Sequence, residues 1–485
     1  MPRSARVLLL VSLTACPNAG GGVIDDSLDG AGTAGPSMCG DGMIDGAEEC
    51  DDANDDPRDE CTNECTMPAC GDGVVQGDEA CDDGDDDDDN GCSSSCSLGA
   101  RAVVSVAAGE YHTCAVSNGG TVRCWGAPEY GRLGQPGYDD YIGDDEPPSD
   151  WDPVDAGPDV VAIVAGNSHN CVLRSSGTVG CWGYNSYGQL GLNHTMAIGD
   201  DEAPSEGADV ALDGVVAIAA GSDHSCAIDG DGLVWCWGSN GEGQLGLGHT
   251  MTIGDDEMDV LATVSLPAAA VEIVGGSGHT CARLEGGDVS CWGRQAEGQL
   301  GTGNPDNVGD DEAVGSTGNV PLGGVAIDID TRHNHTCAVL DNGGVRCWGD
   351  ASSGQLGYDD TTNIGDRKTP IDFGDVMLEG DAVAIATGDS FTCALLSTGR
   401  VSCWGASEGI PLADISGDQL VPQSAASLGA PGRSIDAGDD HICAIVDGAT
   451  VRCWGSNDGS RLGYPGISSY EIVHSPSEAG DIDVF

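Results

Sequence analysis

The sequence predicts an all-β fold, a seven-bladed β-propeller preceded by a small disulfide-rich, loop-dominated module. Three observations carry this. Fourteen cysteines fall in seven pairs, each spaced by ten: Cys114 with Cys124, Cys171 with Cys181, Cys226 with Cys236, Cys281 with Cys291, Cys337 with Cys347, Cys393 with Cys403 and Cys443 with Cys453. Trp-Gly follows each second cysteine, from Trp125-Gly126 to Trp454-Gly455, and the pairs recur every 50 to 57 residues. Within each period the apolar runs are short, end at Asp/Gly punctuation and lack a helical period. Short strands copied at this interval read as blades around an axis, since one copy cannot bury its faces alone. A solenoid would need capping repeats, and none is visible.

The third copy shows the unit. Val215-Val216-Ala217-Ile218-Ala219-Ala220 reads as one strand, Cys226-Ala227-Ile228 as the next, and Leu233-Val234-Trp235-Cys236-Trp237 as the third. Asp229-Gly230-Asp231-Gly232 is the turn between the last two. Val210-Ala211-Leu212, just ahead, is expected to complete a four-stranded blade. A turn midway between paired cysteines sets them opposite each other, where Cα atoms of a non-hydrogen-bonded pair stand roughly 4.5 Å apart. That suits a disulfide, worth about 2–3 kcal/mol for so short a loop. Buried free thiols are the alternative. The last residues, Pro476-Ser477-Glu478-Ala479-Gly480-Asp481-Ile482, look like Pro204-Ser205-Glu206-Gly207-Ala208-Asp209-Val210. By that likeness residues 482–485 are expected to pair beside residues 103–107 and close the ring.

The propeller is assigned to residues 101–485, after two copies of a smaller repeat. In residues 39–96, Cys39, Cys50, Cys61, Cys65 and Cys70, Cys81, Cys92, Cys96 share the spacing 11, 11, 4. This stretch holds 21 acidic residues and one basic, Arg58. It has too little apolar content for a core, so disulfides must hold it, in a connectivity that spacing does not fix. It resembles the Cys/Asp-rich repeats of myxobacterial surface proteins. Zinc is disfavoured because no Cys-x-x-Cys is present. Asp82, Asp83, Asp85 and Asp87 are candidate calcium ligands, against a solvated acidic loop as the alternative.

The first residues, Met1-Pro2-Arg3-Ser4-Ala5-Arg6 and then Val7 to Leu13, read as a secretory signal too short to span a membrane. Leu13-Thr14-Ala15-Cys16 resembles a bacterial lipobox, which implies removal of residues 1–15 and lipidation of Cys16. The cysteine count agrees: of 23, 14 lie in the large repeats and eight in residues 39–96, leaving Cys16 alone. Export also favours disulfides, which the cytosol would reduce. No later apolar run reaches the roughly 18 residues of a membrane helix, so the lipid would be the anchor. Residues 16–38, rich in glycine, read as a tether.

Seventeen basic against 81 acidic side chains give a formal net charge of −64. Nucleic acid and anionic lipid are poor partners for such a chain, and cationic partners, divalent ions or simple colloidal stability suit it better. Ile-Gly-Asp-Asp-Glu recurs at 142–146, 198–202 and 253–257, with variants at 308–312 and 364–366. These carboxylates either cap turn N–H groups or bind calcium, and capping is preferred. His112, His169, His224, His279, His335 and His441 occupy one repeat position, and Phe391 takes it in copy six. They are read as blade-packing groups, because equivalent sites in separate blades stand too far apart to share an ion. The long, unequal segments 127–158 and 405–433 are the best candidates for partner contact. Tyr130, Tyr138, Tyr141 and Trp151 are the aromatic anchors proposed there.

The pattern Ala-Gly-x-x-His-Thr/Ser-Cys-Ala, then Gly-x-Val-x-Cys-Trp-Gly, then Gly-Gln-Leu-Gly at 188–191, 243–246, 298–301 and 354–357, resembles the RCC1 (regulator of chromosome condensation) repeat. The resemblance implies a seven-bladed propeller and, for some relatives, guanine-nucleotide exchange on a small GTPase. Some bacterial relatives are propellers that inhibit β-lactamases. Copy six lacks both the histidine and Gly-Gln-Leu-Gly. No Ser-His-Asp set outside the repeats, His-Glu-x-x-His or phosphate loop is present, so a non-catalytic binding or adhesion protein on the bacterial cell envelope, without a cofactor unless calcium, is expected. It is expected to be monomeric.

Overall fold

The computed structural model describes residues 50, 92, 95–256, 261–406, 420–469 and 471–485. The chain forms two compact units, Leu8–Gly99 and one containing Ala100–Phe485. In the first, Cys50, Cys92 and Cys96 are disulfide-bonded and Cys92 bridges to Leu98. Cys16, Asp82, Asp83, Asp85 and Asp87 lie outside the described residues.

The second unit holds seven sheets, one per copy. In blade one the inner strand Val103–Ala108, middle strand His112–Ser117 and outer strand Val122–Gly126 pair antiparallel in sequence order. Blade seven repeats this with Gly432–Ala437, His441–Val446 and Val451–Ser456. The middle strand of blade one buries all its residues. Neighbouring blades cover both faces, so the strands read as continuous apolar runs instead of alternating ones.

All seven cysteine pairs of the blades are disulfides. Cys114 is bonded to Cys124, Cys171 to Cys181, Cys226 to Cys236 and Cys281 to Cys291. Cys337 is bonded to Cys347, Cys393 to Cys403 and Cys443 to Cys453. Each bridge joins directly opposed residues of a middle and an outer strand. The bonded Cα atoms stand 4.0–4.1 Å apart, so the free-thiol alternative does not hold. The tryptophans that follow, from Trp125 to Trp454, are at most 2% exposed and fill the spaces between blades.

Two expectations are corrected. The fourth strand does not precede the inner strand of its own blade. Val210 donates its N–H to Val179 O at 2.9 Å, on the outer edge of the preceding blade. Val154 meets Val122 in the same way. Chain proximity favoured Val215, but the free edge belonged to the hairpin already built. The ring is also closed differently. Ile482 pairs with Val451 of blade seven, not with residues 103–107. The next residue's carbonyl, Asp483 O, accepts from Ser149 N of blade one at 3.1 Å. Asp155 O accepts from Ser205 N at 2.8 Å at the junction of blades one and two, so the closing junction copies an internal one.

Candidate functional site

The repeat histidines lie at the blade junctions. Each is fully buried and its Nε2–H donates, over 2.8–3.0 Å, to the residue that follows the equivalent position in the next blade. His224, for example, reaches Thr280 Oγ1. That hydroxyl donates in turn to Gln244 O at 2.8 Å, and the same carbonyl accepts the Trp292 indole N–H at 2.9 Å. Gln244 belongs to Gly-Gln-Leu-Gly of the histidine's own blade, so the chain of bonds crosses the junction and returns. Its direction fixes the neutral Nε2–H tautomer, since the hydroxyl hydrogen is already spent on the carbonyl. Each Nδ1 is buried without a partner. Protonation there would bury an unmatched donor, and burial accordingly holds His112, His169 and His279 down at about 3 and His224 and His335 at about 4. The glycine of Ala-Gly-x-x-His is needed for space: a Cβ at Gly221 would lie 2.2 Å from the imidazole Cε1 of His224.

Blade five breaks that glycine rule. Arg332 stands where the other copies have glycine, and its inner strand Ala326–Arg332 is one residue longer than that of blade one. The Arg332 side chain crosses the axis to Asp439 of blade seven at 2.8 Å and to Ala108 O of blade one at 3.0 Å. His333 beside it contacts Asp389 of blade six at 2.9 Å and Asp439 at 3.2 Å. Burial pulls the His333 imidazolium down, but the bonds to Asp389 and Asp439 outweigh it and raise it to about 10. This clasp sits at one mouth of the axial channel, a cavity whose wall includes Glu272, Asp328, Asp330 and Asp436. Glu272, paired with Arg283 at 2.6 Å, is raised to about 8 by burial and by Asp328. Asp328 and Asp330 accept N–H groups of Ile385 and Thr387, and Asp436 accepts that of Ala108. The channel carboxylates therefore tie neighbouring inner strands together. The clasp was missed in the sequence, although Thr-Arg-His-Asn-His in place of Ala-Gly-x-x-His marked it.

Outer strands run parallel to inner ones, so their long following loops emerge at the same end as the clasp. There Ile142, Ile198, Ile253, Val308 and Ile364 each bridge to the last glycine of an outer strand. The acidic residues after them form turns. Asp144 Oδ1 accepts Asp145 N–H at 2.8 Å, and Glu312 Oε1 accepts Gly309 N–H at 3.2 Å. Capping therefore occurs. The oxygens of Asp144, Asp145 and Glu146 also gather within 4.8 Å, as do those at 200–202 and 310–312. Burial, with the adjacent aspartates, lifts Glu146 and Glu202 to about 7.

The aromatic candidates fall into two patches. Tyr130 is 56% exposed and packs on Tyr184 at 5.0 Å, which in turn meets Tyr187 at 6.3 Å. Arg132 lies 5.5 Å from the Tyr130 ring. Tyr138 stands edge-on to the half-buried Trp151 at 5.0 Å, and Tyr141 shares their groove. Tyr184 and Tyr187 escaped notice because they follow Trp182 in a different copy.

Residues 77–371, more than half of the chain, match the family model for the RCC1-like domain. The chain belongs to the RCC1-like domain family. RCC1 repeats are matched again at 382–408 and 433–459, and residues 36–66 match a domain of unknown function, DUF4215. The ultraviolet-B receptor UVR8 of Arabidopsis thaliana is 30% identical over 309 residues, 63% of this chain and 65% of that protein. The probable E3 ubiquitin-protein ligase HERC4 of Homo sapiens is 34% identical over 211 residues, 42% of this chain and 18% of that protein. This RCC1-like chain thus spans under two thirds of either relative. Human WBSCR16 has the same fold, with a TM-score of 0.60 at 18% identity over 74% of this chain and 92% of that one. So does Prp20p of Saccharomyces cerevisiae, at 0.57 and 19% over 70% and 82%, a protein characterised for binding to Gsp1p and histones.

Proposed function

We propose that this RCC1-like propeller is a non-catalytic protein-recognition module on the outside of a bacterial cell, held there by a lipid on Cys16. The loop face does the recognising. One observation carries the reading: Tyr130, Tyr138, Tyr141 and Tyr187 are all at least 39% exposed and belong to the long loops of adjacent blades at one end. Large aromatic rings left in water are favoured anchors for a partner. Seven disulfides support an oxidising compartment. No helix among the described residues is long and apolar enough to cross a membrane, which leaves the anchoring role to the lipid in this reading.

Cross-linking on intact cells, followed by capture with the propeller, tests it. A defined partner should be retained, and Tyr130→Ala with Tyr187→Ala should release it. Intact mass of the native protein should show a diacylglyceryl adduct at Cys16 and no free thiol. A protein that retains Met1 and titrates as fully reduced overturns the reading. Accelerated nucleotide release from a small GTPase would instead establish an exchange factor.

A further inference from the structure

We propose that the groove beside the junction of blades one and seven binds an extended segment rich in arginine and lysine. The proposal rests on the loop face being a recognition surface and names the chemistry it takes. The groove has two lobes. Tyr138, Tyr141 and Trp151 line the first together with six carboxylates and no basic side chain. The second lies between blade one and blade seven, with Asp458 and Ile467 on its far wall. Tyr141, Asp144 and Asp145 belong to both lobes and form the ridge between them.

The acidic turn alone says nothing about a ligand, because the scaffold repeats it. The aromatic residues carry the argument. Copy two has the same frame, Ile198-Gly199-Asp200-Asp201-Glu202, and aligns with copy one without a gap from Tyr138 to Trp151. At the positions of Tyr138, Tyr141 and Trp151 it has His194, Ala197 and Gly207. The fold therefore does not require the rings of Tyr138 and Tyr141, whereas Trp151 also packs against the core and donates its indole N–H to Glu146. Copy one adds them to an acidic groove, with Tyr138 54% and Tyr141 39% exposed.

Aromatic rings bordered by carboxylates suit one class of ligand. A guanidinium or ammonium group is attracted to a ring face, its methylene stem covers the ring, and carboxylates at the edge accept its N–H bonds. A hard divalent ion would gain nothing from the rings. An anionic partner would meet six carboxylates within a chain of net charge −64. Two lobes that share a ridge suit an extended chain with cationic side chains on alternate residues, which project to the same side.

The test uses the whole protein and a synthetic peptide alternating arginine and glycine, with a counterpart carrying glutamine for arginine. Calorimetry at about 0.15 M ionic strength damps long-range attraction to the acidic surface. The arginine peptide should bind and the glutamine peptide should not. The variant Tyr138→His, Tyr141→Ala, Trp151→Gly installs the residues of copy two and leaves the carboxylates in place. It should weaken binding about ten-fold, the size of one or two lost cation–π contacts. Affinity within two-fold of the original, or equal binding of both peptides, overturns the proposal. Should the triple variant melt early, Asp140→Asn with Asp152→Asn decides, since it keeps every ring: unchanged affinity overturns the proposal, and weakening supports it. If the peptide fails while the cross-linked partner is still lost on Tyr130→Ala and Tyr187→Ala, this inference falls and the recognition face stands.

Discussion

Between blades three and four, His224, Thr280, Trp292 and the Gln244 carbonyl form a closed set of hydrogen bonds. Between blades six and seven, Phe391 takes the histidine position and Ile442 that of the threonine, and Gly-Gln-Leu-Gly is missing from copy six. Phe391 and Ile442 join Trp454 in an apolar cluster of their own, apart from the main core. Histidine, hydroxyl and loop have all changed at one junction. The difference teaches that the histidine and its acceptor change together. An intermediate would leave a buried donor or acceptor unmatched, at about 1–3 kcal/mol each. Six junctions keep the histidine's bond to the next blade, and among the described residues the junction of blades six and seven has lost both the histidine and its acceptor.

Acid should separate the two kinds of junction most strongly. Folding lowers the pKa of His224 to about 4 through burial. The neutral imidazole therefore adds stability that is complete above the unfolded value near 6.5 and disappears as pH falls through 4. The variant His224→Phe with Thr280→Ile copies the sixth junction and removes that dependence. Between pH 7 and pH 3.5 it should lose about 3 kcal/mol less than the unmodified protein, the worth of a shift of this size. Denaturant titrations at a series of pH values measure the difference, and parallel pH curves would show that the network does not titrate. His333 has the opposite sign. Its raised value gives stability that is complete below 6.5 and is lost as pH rises through about 10. His333→Gln should flatten the alkaline side only.

A smaller effect follows from breaking one network halfway. Thr280→Val keeps the shape but leaves the His224 Nε2–H without an acceptor, while Gln244 O keeps its bond from Trp292. It should cost about 2 kcal/mol. The reverse half-step, Ile442→Thr, puts a hydroxyl into the apolar cluster and should cost about 1–2 kcal/mol. Urea midpoints with an unchanged slope would read both as stability changes.

Much of this architecture was legible, and the errors have one origin. Cysteine spacing, Trp-Gly and the shared histidine position are local features, so the hairpin, its disulfide and the buried histidines could be read directly. The partner of each histidine could not, because Thr280 becomes a neighbour of His224 only when blade four is laid beside blade three. The fourth strand failed for the same reason. Val210 stands beside Val215 in the chain, but its bond goes back to Val179. The ring-closing error inherited that choice. At the loop face, the sequence shows Tyr138, Tyr141 and Trp151 only as aromatic residues of one long segment, and the structure brings them into one groove. Tyr130 lies in the same segment, whereas its partner Tyr184, with Tyr187 beyond it, lies in the next copy.

The smallest expected effect is the sharpest test of whether histidine and acceptor act as a pair. Phe391→His together with Ile442→Thr restores two members of the network at the sixth junction. Each single change buries one polar group among apolar neighbours. In the pair, the imidazole N–H has a hydroxyl to donate to, so the double variant should be more stable than the sum of the singles by about 1 kcal/mol. It should still fall short of the original, because the buried imidazole replaces an apolar ring and copy six has no Gly-Gln-Leu-Gly in its sequence. Grafting Gly-Gln-Leu-Gly into the loop after Trp404 should recover part of the remainder. A double-mutant cycle by denaturant unfolding gives the coupling directly. Strict additivity would mean that histidine and hydroxyl contribute independently and that their joint absence from this junction has no energetic basis.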